Sequence, residues 1–130
     1  MATSTLRSTV EGRIQANWTA TPVDYDNATF TVPATAWIKV IVSENNSKQA
    51  ELGGGTKRRR ALGVIYADVY APIGKGSNEA RVLADSFATL FRDFKSANLT
   101  CDEPSVRTIG EKDGWYQMIV NVPYRYDFFV

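Results

Sequence analysis

Few side chains in this sequence are equipped for chemistry, and what is absent narrows them further. The chain has no histidine and a single cysteine, Cys101. That removes the Ser-His-Asp and Cys-His arrangements, an intramolecular disulfide and Cys-rich metal sites. Acid–base work would fall to carboxylates, lysines or tyrosines. Asp24, Tyr25 and Asp26 cluster in one stretch, and Asp68 sits inside an apolar run. Paired carboxylates can act as acid and base or hold a hard cation, but no other feature converges on these. A plainer role suits Asp68: pairing with an arginine across a sheet, or facing a subunit boundary. Cys101 has no base available and reads as a plain thiol. Gly74-Lys75-Gly76-Ser77 precedes a helical pattern, and helix N-termini attract anions. The eight-residue P-loop spacing is missing, so a capped turn between strand and helix is expected. No catalytic residue, metal or cofactor is expected, and the chain does not read as an enzyme.

The elements must fit into 130 residues, the size of one domain. With 44% hydrophobic and 22% charged residues, a globular core is affordable. A net charge of +1 gives no global field toward nucleic acid or membrane, so any electrostatic partner needs a local patch. The first residues, Met1 to Arg7, lack the apolar stretch of a signal peptide, and no segment reaches the roughly 20 apolar residues of a membrane span. Synthesis in a cytoplasm and no membrane partner are therefore expected. The four glycosylation-type sequons, at Asn17, Asn27, Asn45 and Asn98, read as chance.

Leu6, Val10 and Ile14 recur at spacings of four, predicting a first helix with Thr3, Ser4 or Thr5 as cap. Thr19 to Thr35 reads as a long irregular connection, with Phe30-Thr31-Val32 as a short extended piece before Pro33. Trp37 to Val42 predicts a strand. Ser43 to Thr56 is polar, ends in three glycines and leads directly into Lys57-Arg58-Arg59-Arg60, so a flexible basic arm is expected at about 43–60. Ala61 to Tyr70 is apolar on both alternating faces, which predicts a central strand covered on two sides. Ser77 is placed to cap a second helix whose face is Leu83, Phe87, Leu90, Phe91 and Phe94, with Arg81 and Asp85 as a four-spaced pair. Asn98 to Pro104 reads as a connection. Ser105–Glu111 and Trp115–Val122 form a hairpin through Lys112-Asp113-Gly114. Pro123 marks an edge, a bulge or the end of that last strand. The sum is an α+β fold in a single domain, 1–130. Its sheet is antiparallel or mixed, of about four strands, with two helices packed on one face.

Several stretches carry a family resemblance: Ile65 to Pro72, Gly74 to Ala80, Leu83 to Phe87, and Gly114-Trp115-Tyr116 leading into the last strand to Tyr124. In this order they resemble small phage tail-completion proteins grouped with the lambda-type tail terminator, from about Trp18 onward. The resemblance implies a structural protein of the virion, assembled in the host cytoplasm and placed at the head-proximal end of the tail. It implies a homo-oligomer, a hexameric ring on the tail tube protein that stops tube polymerisation. It also implies a docking surface for a head-completion or neck protein. A stopper-type connector at the head–tail joint is the alternative, and a small DNA-binding module a more distant one.

Two clusters are the candidate interface. Lys57, Arg58, Arg59 and Arg60 could meet phosphates of passing DNA, an acidic surface on a neighbouring subunit or tube protein, or only solvent. Tyr124, Tyr126, Phe128 and Phe129 could complete the core or pair with a neighbour's strand edge. Trp18, Trp37 and Trp115 are expected mostly in the core.

Overall fold

A computed structural model describes residues 2–49, 58–96 and 98–129. Helix α1 (Ala2–Asn17) begins ahead of the expected caps, so Thr3, Ser4 and Thr5 lie within its first turns. Leu6, Val10 and Ile14 form its buried stripe. After it comes β1 (Val23–Tyr25), a strand in the expected irregular connection, while Phe30 to Val32 is not extended into any ladder.

Strands β2 (Trp37–Gln49) and β3 (Arg58–Pro72) form an antiparallel hairpin much longer than the apolar runs. Pairing continues past Ser43 to Gln49 opposite Arg59, through a bulge between Glu44 and Asn46. Both ends of the expected arm are therefore ribbon; its centre, with Lys57, lies outside the described residues. Backbone hydrogen bonding carries polar residues into a ladder that side-chain patterning does not announce.

Helix α2 (Asn78–Phe91) buries Leu83, Phe87 and Phe91. It stops before Phe94 because Arg92 turns extended and Asp93 adopts φ 57°. Ser77 occupies the N-cap position without a side-chain cap bond. Its hydroxyl accepts from Arg81 Nε at 3.0 Å, which takes Arg81 away from the expected pairing with Asp85.

The stretch after α2, expected as a connection, holds β4 (Lys95–Ser96) and β5 (Leu99–Cys101). The hairpin of β6 (Ser105–Lys112) and β7 (Trp115–Phe129) turns on Asp113 and Gly114, both at positive φ (54° and 85°), as its sequence predicts. β7 does not end at Pro123. That residue pairs with Val64 of β3, and its carbonyl accepts from Asp102 N on the opposite side. A residue's N–H and C=O leave a strand on the same side, so the proton that proline lacks would have pointed away from β3. It would have met the gap where β6 has ended and β5 has not begun.

The result is a mixed α+β sheet of seven strands rather than about four, in the order β1-β2-β3-β7-β5-β4, with β6 also paired to β7. Among the described strands only β1 runs parallel to its neighbour. The three unforeseen strands have two or three residues each, too short for periodicity to register.

The hydrophobic cluster occupies one face of this sheet and holds the buried residues of both helices. From β3 it takes Ala61, Ile65, Ala67, Val69 and Ala71; from β7, Met118, Val120, Val122, Tyr124 and Tyr126. Arg13 ties the helices together, donating to the Leu90 carbonyl at 3.0 and 3.2 Å with its guanidinium 4.5 Å from the Phe94 ring centre. Tyr124 crosses Gly63 to donate its hydroxyl to the Ser43 carbonyl at 3.1 Å, next to the β2 bulge.

Candidate assembly surface

The expectation that β3 is covered on both sides does not hold. Both helices lie on one side, and Leu62, Val64, Tyr66, Asp68 and Tyr70 line the other, each half-buried. Register sets Ile41 beside Tyr66, and Ile119 beside Asp68. An antiparallel sheet normally turns polar residues outward when one face is solvated. Here the outward face is mixed: Ile41, Leu62, Val64, Tyr66 and Ile119 lie among Lys39, Asp68, Arg107, Asn121 and Arg125, and neither described helix covers it.

One end of this face is partly sealed. Trp37 stacks on Tyr70 at 4.3 Å between ring centres, meets Trp115 edge-on at 6.0 Å, and receives Phe30 from the long connection at 5.3 Å. Gln117, only 7% exposed, donates to the Tyr70 hydroxyl at 3.4 Å. Trp18 belongs to the helix-side core instead, edge-on to Phe87.

Asp68 lies in the middle of the open face, directly across from Lys39. Burial raises its carboxyl above the usual range, against the pull of Lys39 and then Lys112. Its counter-charges are lysines, not the arginine expected. Asp24 of β1 flanks Lys39 from the other side, in the same row, while Asp26 follows β1. Burial first, and then carboxylates that include Asp68 and Asp24, raise the Tyr70 hydroxyl above its usual range. A groove of about 140 Å³ lined by Arg7, Glu11, Asp26, Val42 and Glu44 runs between α1 and β2. Among the described residues no three of Asp, Glu, His and Cys gather as a metal site would require. Burial, with Asp102 adding to it, pushes the Cys101 thiol up to about 11, which leaves it protonated at neutral pH.

Of the basic arm, Arg60 is bound to its own sheet. Its Nε and Nη2 donate to Asp127 Oδ1 and Oδ2 at 2.8 and 3.0 Å, a two-pronged clasp between β3 and β7. Arg59 is half-buried in β3, opposite Phe128; Arg58 begins the strand. Of the aromatic tail, Tyr124 and Tyr126 are buried in the chain's own core. Phe128 packs at its margin, stacked on Tyr126 at 6.4 Å, and Phe129 pairs with Arg58 along the backbone. Arg58 to Arg60 and the end of the aromatic tail, far apart in sequence, therefore form one ribbon.

Sequence reasoning missed the open face. Its signal was present in the two-sided pattern from Ala61 to Tyr70, which needs a second cover but does not say whose. It also missed the free outer edge of β6, whose residues are exposed apart from Gly110.

Among curated proteins none matches this chain. One solved structure superposes with a TM-score of 0.75 at 24% identity, covering 100% of this chain and 99% of its own, a likeness that shows the fold alone. A family model described as phage tail terminator protein matches residues 5–124, nearly the whole of the sheet and both helices. With that match the chain belongs to the phage tail terminator proteins, structural components of the phage tail and so of the virion.

Proposed function

We propose that this protein assembles as a homo-oligomeric ring, hexameric by family resemblance, at the head-proximal end of the tail tube. There it ends tube polymerisation and gives the neck its docking surface. The observation that carries this reading is the one-sided sheet. Leu62, Val64, Tyr66 and Ile119 are the apolar part of a mixed face that the described helices leave uncovered. Half-buried apolar side chains gathered on an uncovered sheet face, among paired charges, suit a protein contact. Assembly, rather than turnover of a substrate, is what such a face serves.

The DNA-binding alternative draws little from the arm, because Arg60 already has a carboxylate partner on both prongs. A stopper-type connector would use the same kind of face against the head instead of the tube. Light scattering after size exclusion, over a range of concentrations and with isolated tube ends added, tests the proposal. Rings of about six copies, and tubes that stop growing when the protein is supplied, are expected. A monomer at every concentration that also leaves tube growth unchanged would remove the ring and the terminator role together.

A further inference from the structure

We propose that neighbouring copies in the ring join by strand addition, the outer edge of β6 in one copy pairing antiparallel with the outer edge of β2 in the next. The inference rests on the ring reading above and names the surface that builds it.

Two free edges carry it. On its outer side β2 is paired by β1 only from Ile38 to Val40; from Ile41 to Gln49 no strand among the described residues lies beyond it. Among the described residues β6 pairs only with β7. The two edges lie on opposite sides of the sheet. Unpaired strand edges offer a row of N–H and C=O groups to any incoming strand. β6 also shows solvent two large apolar side chains, Val106 at 39% and Ile109 at 40%.

Strand direction suits a second copy as the occupant. β6 is antiparallel to β7, β7 to β3, and β3 to β2, so β6 runs opposite to β2. Copies set side by side in the same orientation therefore bring β6 against β2 as an antiparallel pair, the better ladder. Each added copy presents again the edge it has just occupied, which is the head-to-tail contact that closes rings.

Bulges limit the ladder. β6 is regular from Ser105 to Thr108 and bulges before Gly110; β2 is regular from Ile41 to Glu44 and bulges before Asn46. These two runs start level, along the row Ile41–Tyr66–Asn121–Ser105, and extend from it in opposite directions. Pairing them sets Glu44 opposite Ser105 and staggers adjacent copies by three residues, roughly 10 Å at 3.3 Å per residue. A closed ring absorbs such a stagger by tilting its strands to the axis, as closed barrels do.

Successive N–H groups leave a strand on opposite sides, so of Val106→Pro and Arg107→Pro one removes an outward donor and the other breaks the β7 ladder. The variant that keeps the wild-type melting temperature is expected to lose ring assembly completely. The same choice between Val42→Pro and Ser43→Pro blocks β2. Mixing the two blocked proteins is expected to yield one-to-one pairs and nothing larger. Amide exchange on wild-type rings against monomers needs no variant. The outward amides of Ser105–Thr108 and Ile41–Glu44 are expected to slow by about tenfold or more on assembly.

Rings that persist in a well-folded β6 variant, or rings whose β2 and β6 amides gain no protection, overturn edge pairing and leave the ring reading intact. Symmetric pairs formed by β2-blocked protein alone show β6 meeting β6, which also overturns it. Wild-type protein that forms no ring, alone or on tube ends, removes both.

Discussion

A methyl group at Gly63 would meet the Ser43 carbonyl and the ring of Tyr124, both held in place by the hydrogen bond between them. Neither can move without disturbing the β2 bulge. Gly63→Ala is therefore expected to cost about 1–3 kcal/mol, as overpacking a tight site does. At Gly12, inside α1, an added Cβ meets nothing within 4 Å. There the same change should raise stability by about 0.5–1 kcal/mol through helix propensity. Urea unfolding of both variants checks the pair. Asp68 gives the residue-scale prediction in pH. Its folded-state carboxyl lies above the ordinary value, so the folded chain binds that proton more tightly than the unfolded one. Ionised Asp68 thus weakens the fold at neutral pH; the penalty fades as pH falls through the raised folded-state value and is gone below about 4, the usual carboxyl value. Asp68→Asn should raise the melting temperature at pH 7 and lose that gain in acid. A gain independent of pH would mean that something other than ionisation is responsible.

Among the elements, those that bury one long face were legible in the sequence. Leu6, Val10 and Ile14, and likewise Leu83, Phe87 and Phe91, repeat often enough to fix a helix. Asp113-Gly114 marked a hairpin because two successive positive φ values suit those residues. β4 and β5 were not legible, because β5 exists as a partner for β7 near Tyr126, β4 as a partner for β5, and neither has a pattern of its own. The polar half of β2 was hidden for the same reason: β3 and β7 hold it as ribbon, whatever its side chains. The Arg60–Asp127 clasp is expected to keep that ribbon closed. Asp127→Asn should speed amide exchange at residues 58–62 and leave the main melting transition nearly unmoved, since the pair is partly exposed at the edge of the structure. A large drop in melting temperature would show that the ribbon supports the core instead.

For the molecule as a whole, one hydrophobic cluster joins α1, α2 and the sheet. Calorimetry should show a single transition whose van't Hoff and calorimetric enthalpies agree. Two transitions would mean that the ribbon or α1 melts separately. The candidate surface was only half legible at this scale. Residues 57–60 and 124–129 were visible as clusters, but that residues 58–60 share one ribbon with the second follows from strand order, which no local pattern encodes. The face beside them emerges only once both helices are seen on the other side.

The place of β3 also has a consequence in time. Its hairpin with β2 is local, whereas its other edge waits for β7, with all of α2, β4, β5 and β6 intervening in the chain. Contacts so distant in sequence close slowly. Until they do, the most apolar strand of the protein is open along one side, next to a face that no helix covers. A nascent chain is thus most prone to stick to its siblings before it can join them correctly. Low temperature during synthesis, which slows encounter between chains, should recover more folded protein from the same quantity made.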